Sequence, residues 1–149
     1  MRLLIQQVKS AKLDIQEDNI HREIWRWIII YLWIHVDDVE TYKEKITRII
    51  KKIPQLKCLD WPDWNIDTSL QDINGEVLLI SNFTVYGRNT KWTKLDFVHS
   101  APYKKAKEIY DYFIQEAKNS DWKIQTGEFW ADMDISSINQ WPINYVLDY

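Results

Sequence analysis

Gly75-Glu76-Val77-Leu78-Leu79-Ile80-Ser81-Asn82-Phe83-Thr84-Val85-Tyr86 is the stretch on which the fold turns. The Asn74-Gly75 pair is a turn signal, and it delivers the chain into a short apolar run, the pattern of a buried strand. That strand closes at Ser81 to Tyr86 and leads into a polar loop from Gly87 to Lys94. Upstream, Ile24 to Val36 is dense in β-branched and aromatic residues and reads as a long central strand. Arg2 to Val8 reads as a further strand, with a hairpin continuing through Leu13 to Ile15 after the polar Lys9-Ser10. Leu56 to Leu59 suggests a short strand before a loop around Pro62, and three more strands are expected near Ile124, over Ala131 to Ile135 and over Ile143 to Leu147. Only two helices stand out. The first opens on a capping-box pattern at Asp37 and Glu40, carries the stripe Ile46, Ile49, Ile50 and Ile53, and stops before Pro54. The second is expected to start from Ser100 as N-cap with Pro102 in its first turn, burying Ala106, Ile109, Tyr110, Phe113 and Ala117. Many strands and two helices, without regular βαβ alternation, predict an α+β fold with largely antiparallel sheets. No repeat, low-complexity tract or linker divides the chain, so residues 1–149 read as one domain.

The net charge of −3, with both signs spread along the chain, argues against a general nucleic-acid coat protein and leaves room for a local basic patch. A lone Cys58 rules out an internal disulfide and fits a reducing compartment. Met1 to Ile5 is too short and too soon polar for a signal peptide, and Ile28 to Ile34 is too short to span a bilayer. A soluble cytoplasmic protein is expected. His21, His35 and His99 have no metal-ligand spacing to one another or to Cys58, and no nucleophile elbow, phosphate-binding glycine loop or zinc-protease motif appears.

One anomaly runs through the whole chain: nine tryptophans against three glycines. Ordinary usage would supply about ten glycines in this length. Several indoles also sit where turns usually ask for glycine: Trp61 and Trp64 flanking Pro62, Trp92 in a polar loop, Trp141 directly before Pro142.

Four ordered segments give the chain a likeness. Gln6-Gln7-Val8, Ser81-Asn82-Phe83-Thr84, Thr126-Gly127-Glu128-Phe129-Trp130-Ala131-Asp132-Met133 and Asn139-Gln140-Trp141-Pro142-Ile143 stand in the order of Gln-Arg-Val, Ser-Gln-Phe-Thr, Thr-Gly-x-Phe-(Gly/Ala)-Ala-Asp-Met and Asn-x-Gly-Pro-Val. The chain thereby resembles the D-aminoacyl-tRNA deacylase family over essentially its full length, with a small insertion near Gln16 to Asn19. In that alignment Trp25, Trp27, Trp33, Trp64, Trp92, Trp122, Trp130 and Trp141 fall where the family commonly carries glycine. Overpacking costs about 1–3 kcal/mol at a well-packed site, so so many glycine-to-tryptophan changes are physically implausible. The expectation is that UGA codons specifying glycine in the source organism are written here as tryptophan.

The resemblance implies a barrel-like fold acting as a homodimer without metal or other cofactor. It implies hydrolysis of the ester that joins a D-amino acid, or glycine, to the 3′-terminal ribose of tRNA. Ser81, Asn82, Phe83 and Thr84 then line the pocket for the terminal adenosine and the ester, with the protein mainly positioning and the RNA 2′-hydroxyl assisting. No histidine or lysine stands beside Thr84 in sequence to activate it. Trp141-Pro142 corresponds to the family's cis Gly-Pro pair, whose carbonyl oxygens enter the other subunit's pocket and crowd out an L side chain, while a D side chain points outward and glycine passes. Gln6, Ala101, Met133 and Asn139 match pocket or motif positions. Arg88, Lys91 and Lys94 are candidates for RNA phosphates, as are Lys104, Lys105 and Lys107. The departures are Gln7 for arginine, Asn82 for glutamine and Asp96 for serine. The alternatives are a tRNA-end-binding module of the same fold without turnover, and a relative with relaxed chirality.

Overall fold

The structure, a computed structural model, describes residues 1–60 and 65–149, without the side chains of Lys91 and Pro142. The loop expected around Pro62, with Trp61 and Trp64, therefore lies outside the described residues. Among the described residues, eight strands and three α-helices follow in the order β1 (Arg2–Ile15), β2 (Ile20–Ile24), β3 (Trp27–Trp33), α1 (Tyr42–Lys52), α2 (Leu70–Ile73), β4 (Glu76–Ser81), β5 (Arg88–Lys91), β6 (Lys94–Asp96), α3 (Tyr103–Lys118), β7 (Lys123–Thr126) and β8 (Asp134–Asp148). The main sheet runs β2-β1-β3-β4-β7, with β8 added along the free side of β1, and β5-β6 form a separate ribbon.

This is the α+β class expected, a curled, barrel-like sheet with α1 and α3 as its long helices, but the sheet is mixed. Pairings of β1 with β2, β3 and β8 are antiparallel, whereas β3-β4 and β4-β7 are parallel. Parallel neighbours need long crossovers. The segment holding α1 and α2 supplies the first and α3 the second, so both main helices are crossover connections after all.

β1 continues straight through Lys9-Ser10, because Val8, Ala11, Leu13 and Ile15 keep burying one face beyond it. The polar pair marks a register shift, and the reversal comes after Ile15. The long strand expected over Ile24 to Val36 breaks at Trp25-Arg26 into β2 and β3. β3 is buried on both sides: Ile28, Ile30 and Leu32 join the core under the helices, while Ile29 joins Val8, Leu13, Ile24, Leu78 and Ile80 in a second core. The capping box falls two residues earlier than expected. His35 and Asp38 form it around a short 3-10 turn, and α1 begins only at Tyr42. α3 starts at Tyr103 behind Pro102, and Ser100 pairs with His35 in an isolated bridge. Leu56 to Leu59 makes a single bridge to Thr68 in place of a strand. Asn74 ends α2 in the left-handed region at φ 51°, which is the turn its pairing with Gly75 suggests. The last two expected strands fuse into β8.

Candidate active site

Where β3 and β4 run parallel, Leu32 stands opposite Ser81, and both strands end together. The chain leaves this edge tied down: the Asn82 N–H donates to the Leu32 carbonyl at 3.0 Å and the Ala101 N–H to the Ile34 carbonyl at 3.1 Å. A cavity of about 530 Å³ opens there, within the range of small-ligand sites. Its wall combines the ends of β3 and β4 (Trp33, Ser81 to Phe83), the entry to α3 (Ser100, Ala101, Tyr103) and the β7-β8 connection (Phe129 to Ala131, Met133). Gly127 permits that last piece to close in, since a Cβ there would come within 2.6 Å of the Met133 sulfur.

Much of the wall is aromatic. Phe83 lies nearly parallel to Trp130 with centroids 5.2 Å apart, and Phe97 meets Phe83 edge-on at 5.1 Å. Tyr103 approaches both Phe129 and Trp130 at 5.4 Å. Such surfaces suit the flat face of a nucleobase. Two buried polar atoms in the wall, Trp33 Nε1 and Ser100 Oγ, have no hydrogen-bond partner among the described residues. A buried orphan costs about 1–3 kcal/mol, which a ligand able to pair with it would recover.

Asn82 caps a 3-10 turn over Phe83–Tyr86, its side-chain oxygen accepting from the Thr84 N–H at 2.9 Å and from the Thr84 hydroxyl at 2.6 Å. An amide oxygen cannot take up that proton, so this contact orients Thr84 without making it a nucleophile. Cys58 is no rival: burial pushes its thiol up to about 11. Among the described residues no group of His, Cys, Asp or Glu is arranged to hold a metal ion, and no helix is long and apolar enough to cross a membrane.

Of the residues singled out in the sequence, Ser81, Asn82, Phe83, Ala101 and Met133 line this cavity. Thr84 stands exposed beside it. Gln6, Asn139 and Trp141 do not line it: Gln6 donates to Asn144 on β8, Asn139 pairs with Val8, and Trp141 is 78% exposed. Pro142 follows on β8. Arg88, Lys91 and Lys94 sit on the β5-β6 ribbon, where the Arg88 guanidinium contacts His99. Lys105 and Lys107 are engaged by Glu108 and Asp111 on their own helix. Asp96, accepting from Thr90 and near Arg88, is held below the usual carboxylate range. Trp33, Tyr103 and Phe129 were not anticipated in the wall: Trp33 reads as a strand residue, Phe129 as part of a motif and Tyr103 as the start of a helix, and the convergence of three distant segments brings them together.

Comparison with known proteins agrees with this geometry. The family described as D-Tyr-tRNA(Tyr) deacylase matches residues 4–148. D-aminoacyl-tRNA deacylases of Thermosipho africanus and Desulfotalea psychrophila are 36% and 35% identical over 148 residues, covering 99% of this chain and 97% of each relative. Among solved structures, a c-Myc DNA unwinding element binding protein superposes with a TM-score of 0.86 at 24% identity, covering 100% of this chain and 99% of its own. A probable eukaryotic D-amino acid tRNA deacylase superposes with a TM-score of 0.81 at 12% identity, covering 99% and 98%. At those identities the two structures speak for the fold. The chain belongs to the D-aminoacyl-tRNA deacylase family.

Proposed function

We propose that two copies of this chain work as one chiral-proofreading hydrolase, each using the tail of the other to sort esters by handedness. The reaction is hydrolysis of the ester between a D-amino acid, or glycine, and the 3′-terminal ribose of tRNA, in the cytoplasm where tRNA is charged. The observation that carries this reading is the convergence of Ser81 to Phe83 with Phe129 to Met133 on one aromatic-walled cavity in a chain of the deacylase family. The stacked ring of Phe83 takes the terminal adenine, and the strand end from Ser81 holds the ester. Thr84, tethered to Asn82, positions. Rate then comes chiefly from orientation and fixed dipoles, with the substrate's own 2′-hydroxyl assisting attack.

Two features support the dimer. β8 is a long outer strand paired, among the described residues, only to β1, and Ile138, Trp141 and Val146 stand exposed along it. A long unpaired edge with apolar side chains is a template for a second chain. Trp141 does not line its own cavity, so its carbonyl is available to a neighbour's. There, backbone oxygens crowd the substrate Cα and reject an L side chain.

Deacylation of D-tyrosyl- and D-aspartyl-tRNA beside their L-forms tests the reading. Hydrolysis of the D-esters with the L-esters spared is expected. Binding of the tRNA end without turnover would leave only a binding module, and equal hydrolysis of both hands would leave a relaxed editor.

A further inference from the structure

The inward face of β1 reads Leu3, Ile5, Gln7, and all three side chains are fully buried. An amide in that series needs partners. Gln7 Nε2 donates to Asp60 Oδ1 at 2.5 Å, and the Asp60 N–H lies 3.4 Å from Gln7 Oε1. Gln140 Nε2 reaches the same Asp60 Oδ1 at 3.2 Å. Asp60 is itself 3% exposed. Among the described residues Asp60 Oδ2 and Gln140 Oε1 have no partner, and the Gln7 and Gln140 amides are the side-chain donors to this carboxylate.

The knot lies at an irregularity in the sheet. β1 and β8 pair in regular register up to Gln6 with Asn144, and resume at Val8 with Asn139. Four residues of β8, Gln140 to Ile143, therefore stand opposite the single Gln7. This wide bulge contains Trp141 and Pro142. One of its feet is Ile143, buried at 2%; the other is Gln140, tied to Asp60. A bulge re-aims the backbone it contains, and its direction is set by what fixes its ends.

We propose that Gln7, Asp60 and Gln140 are positioning residues that fix the aim of the Trp141-Pro142 backbone and thereby set the discrimination between D- and L-esters. This rests on the reading of the tail given above. None of the three touches the cavity. Their effect appears in handedness selection and not in the turnover of the preferred ester. A displaced carbonyl ceases to crowd the L side chain, while the D-ester, which points away from it, reacts as before.

The experiment compares Gln7→Leu, Gln140→Ala and the exchanged pair Gln7→Glu/Asp60→Asn with the full-length parent. L- and D-tyrosyl-tRNA hydrolysis is measured together with amide hydrogen exchange across residues 139–144. Either single variant is expected to raise L-ester hydrolysis relative to D by about 10-fold or more, with kcat for the D-ester held within about twofold. Exchange should quicken in the tail segment alone. The exchanged pair again offers an amide donor to a carboxylate and is expected to return the ratio to the parent's. An unchanged ratio, or equal loss on both esters with a lowered melting temperature, overturns the proposal. A parent that hydrolyses neither ester would overturn the deacylase reading instead, and tail exchange then decides this proposal: protection unchanged in the variants sinks it, and tail-confined loss restored by the exchanged pair supports it.

Discussion

Trp130 has a backbone φ of 69°, in the left-handed region where an L residue with a Cβ is strained by roughly 1–2 kcal/mol. It is one of the positions where the family carries glycine, and glycine is what that backbone favours. The structure divides the other tryptophans. Trp25, Trp92 and Trp141 are largely exposed, so overpacking does not apply to them; Trp33, at 5% exposure, is buried and narrows the cavity. The aligned motifs made the eight positions legible, but not which of them are crowded. Trp130→Gly is expected to change stability by less than about 1 kcal/mol in urea denaturation, because relief of the backbone offsets the lost stack on Phe83. A buried aromatic truncation would cost about 3–5 kcal/mol. Glycine at all eight aligned positions is expected to give a chain that is more soluble, with fewer exposed indoles, and more active, with a wider cavity. Identical behaviour of the two chains, or UGG at every tryptophan codon, contradicts the glycine reading.

At the level of elements, α3 is joined to the sheet by more than its apolar face. The buried Tyr110 hydroxyl lies 3.1 Å from the Leu79 carbonyl and 3.2 Å from that of Gly127, and burial pushes its pKa well above the ordinary phenol value. Tyr110→Phe keeps the ring and leaves those carbonyls short of a donor, so a loss of about 1–2 kcal/mol is expected in chemical denaturation. The helical stripe containing Tyr110 was plain in the sequence because its 3.6-residue period lies within one continuous segment. Strand ends were harder. Lys9-Ser10 suggested a turn because polar residues in a strand look like breaks, yet β8 pairs across them and carries β1 onward. His35 as an N-cap was missed because Asp37 and Glu40 offered the more familiar pattern. Ser81 to Phe83 could be named as pocket residues because they match one continuous family motif at the end of a strand. Trp33, Tyr103 and Phe129 could not, since their meeting depends on parallel pairings between distant segments.

The whole molecule is fastened at Asp38. Its carboxylate bonds the Met1 ammonium at 2.7 Å and Lys45 at 2.6 Å, while the Tyr149 N–H donates back to the Met1 carbonyl at 2.8 Å. Burial works to raise the Asp38 pKa, but Lys45, the ammonium and the His35 N–H outweigh it and hold it below the ordinary value. A depressed carboxylate gives stability that is present above its unfolded pKa and lost as pH falls through the folded one. Asp38→Asn is therefore expected to cost about 3 kcal/mol at neutral pH and to flatten the acid limb of a melting-temperature profile below about pH 4. Sedimentation is expected to show a dimer, and Val146→Lys on the β8 edge is expected to shift it toward monomer. Mixing two defective chains asks whether the tail of one chain serves the cavity of the other. One chain carries Phe83→Ala, which is expected to disable its cavity. The other carries Trp141→Ala/Pro142→Ala, which is expected to lose rejection of L-esters. With the first chain in about tenfold excess, almost every working cavity faces an intact tail, so L-ester hydrolysis is expected to collapse while D-ester hydrolysis by the second chain persists. An L-to-D ratio unchanged by mixing would mean that each tail serves its own cavity or none, and would contradict the pairing of one chain's tail with the other's cavity.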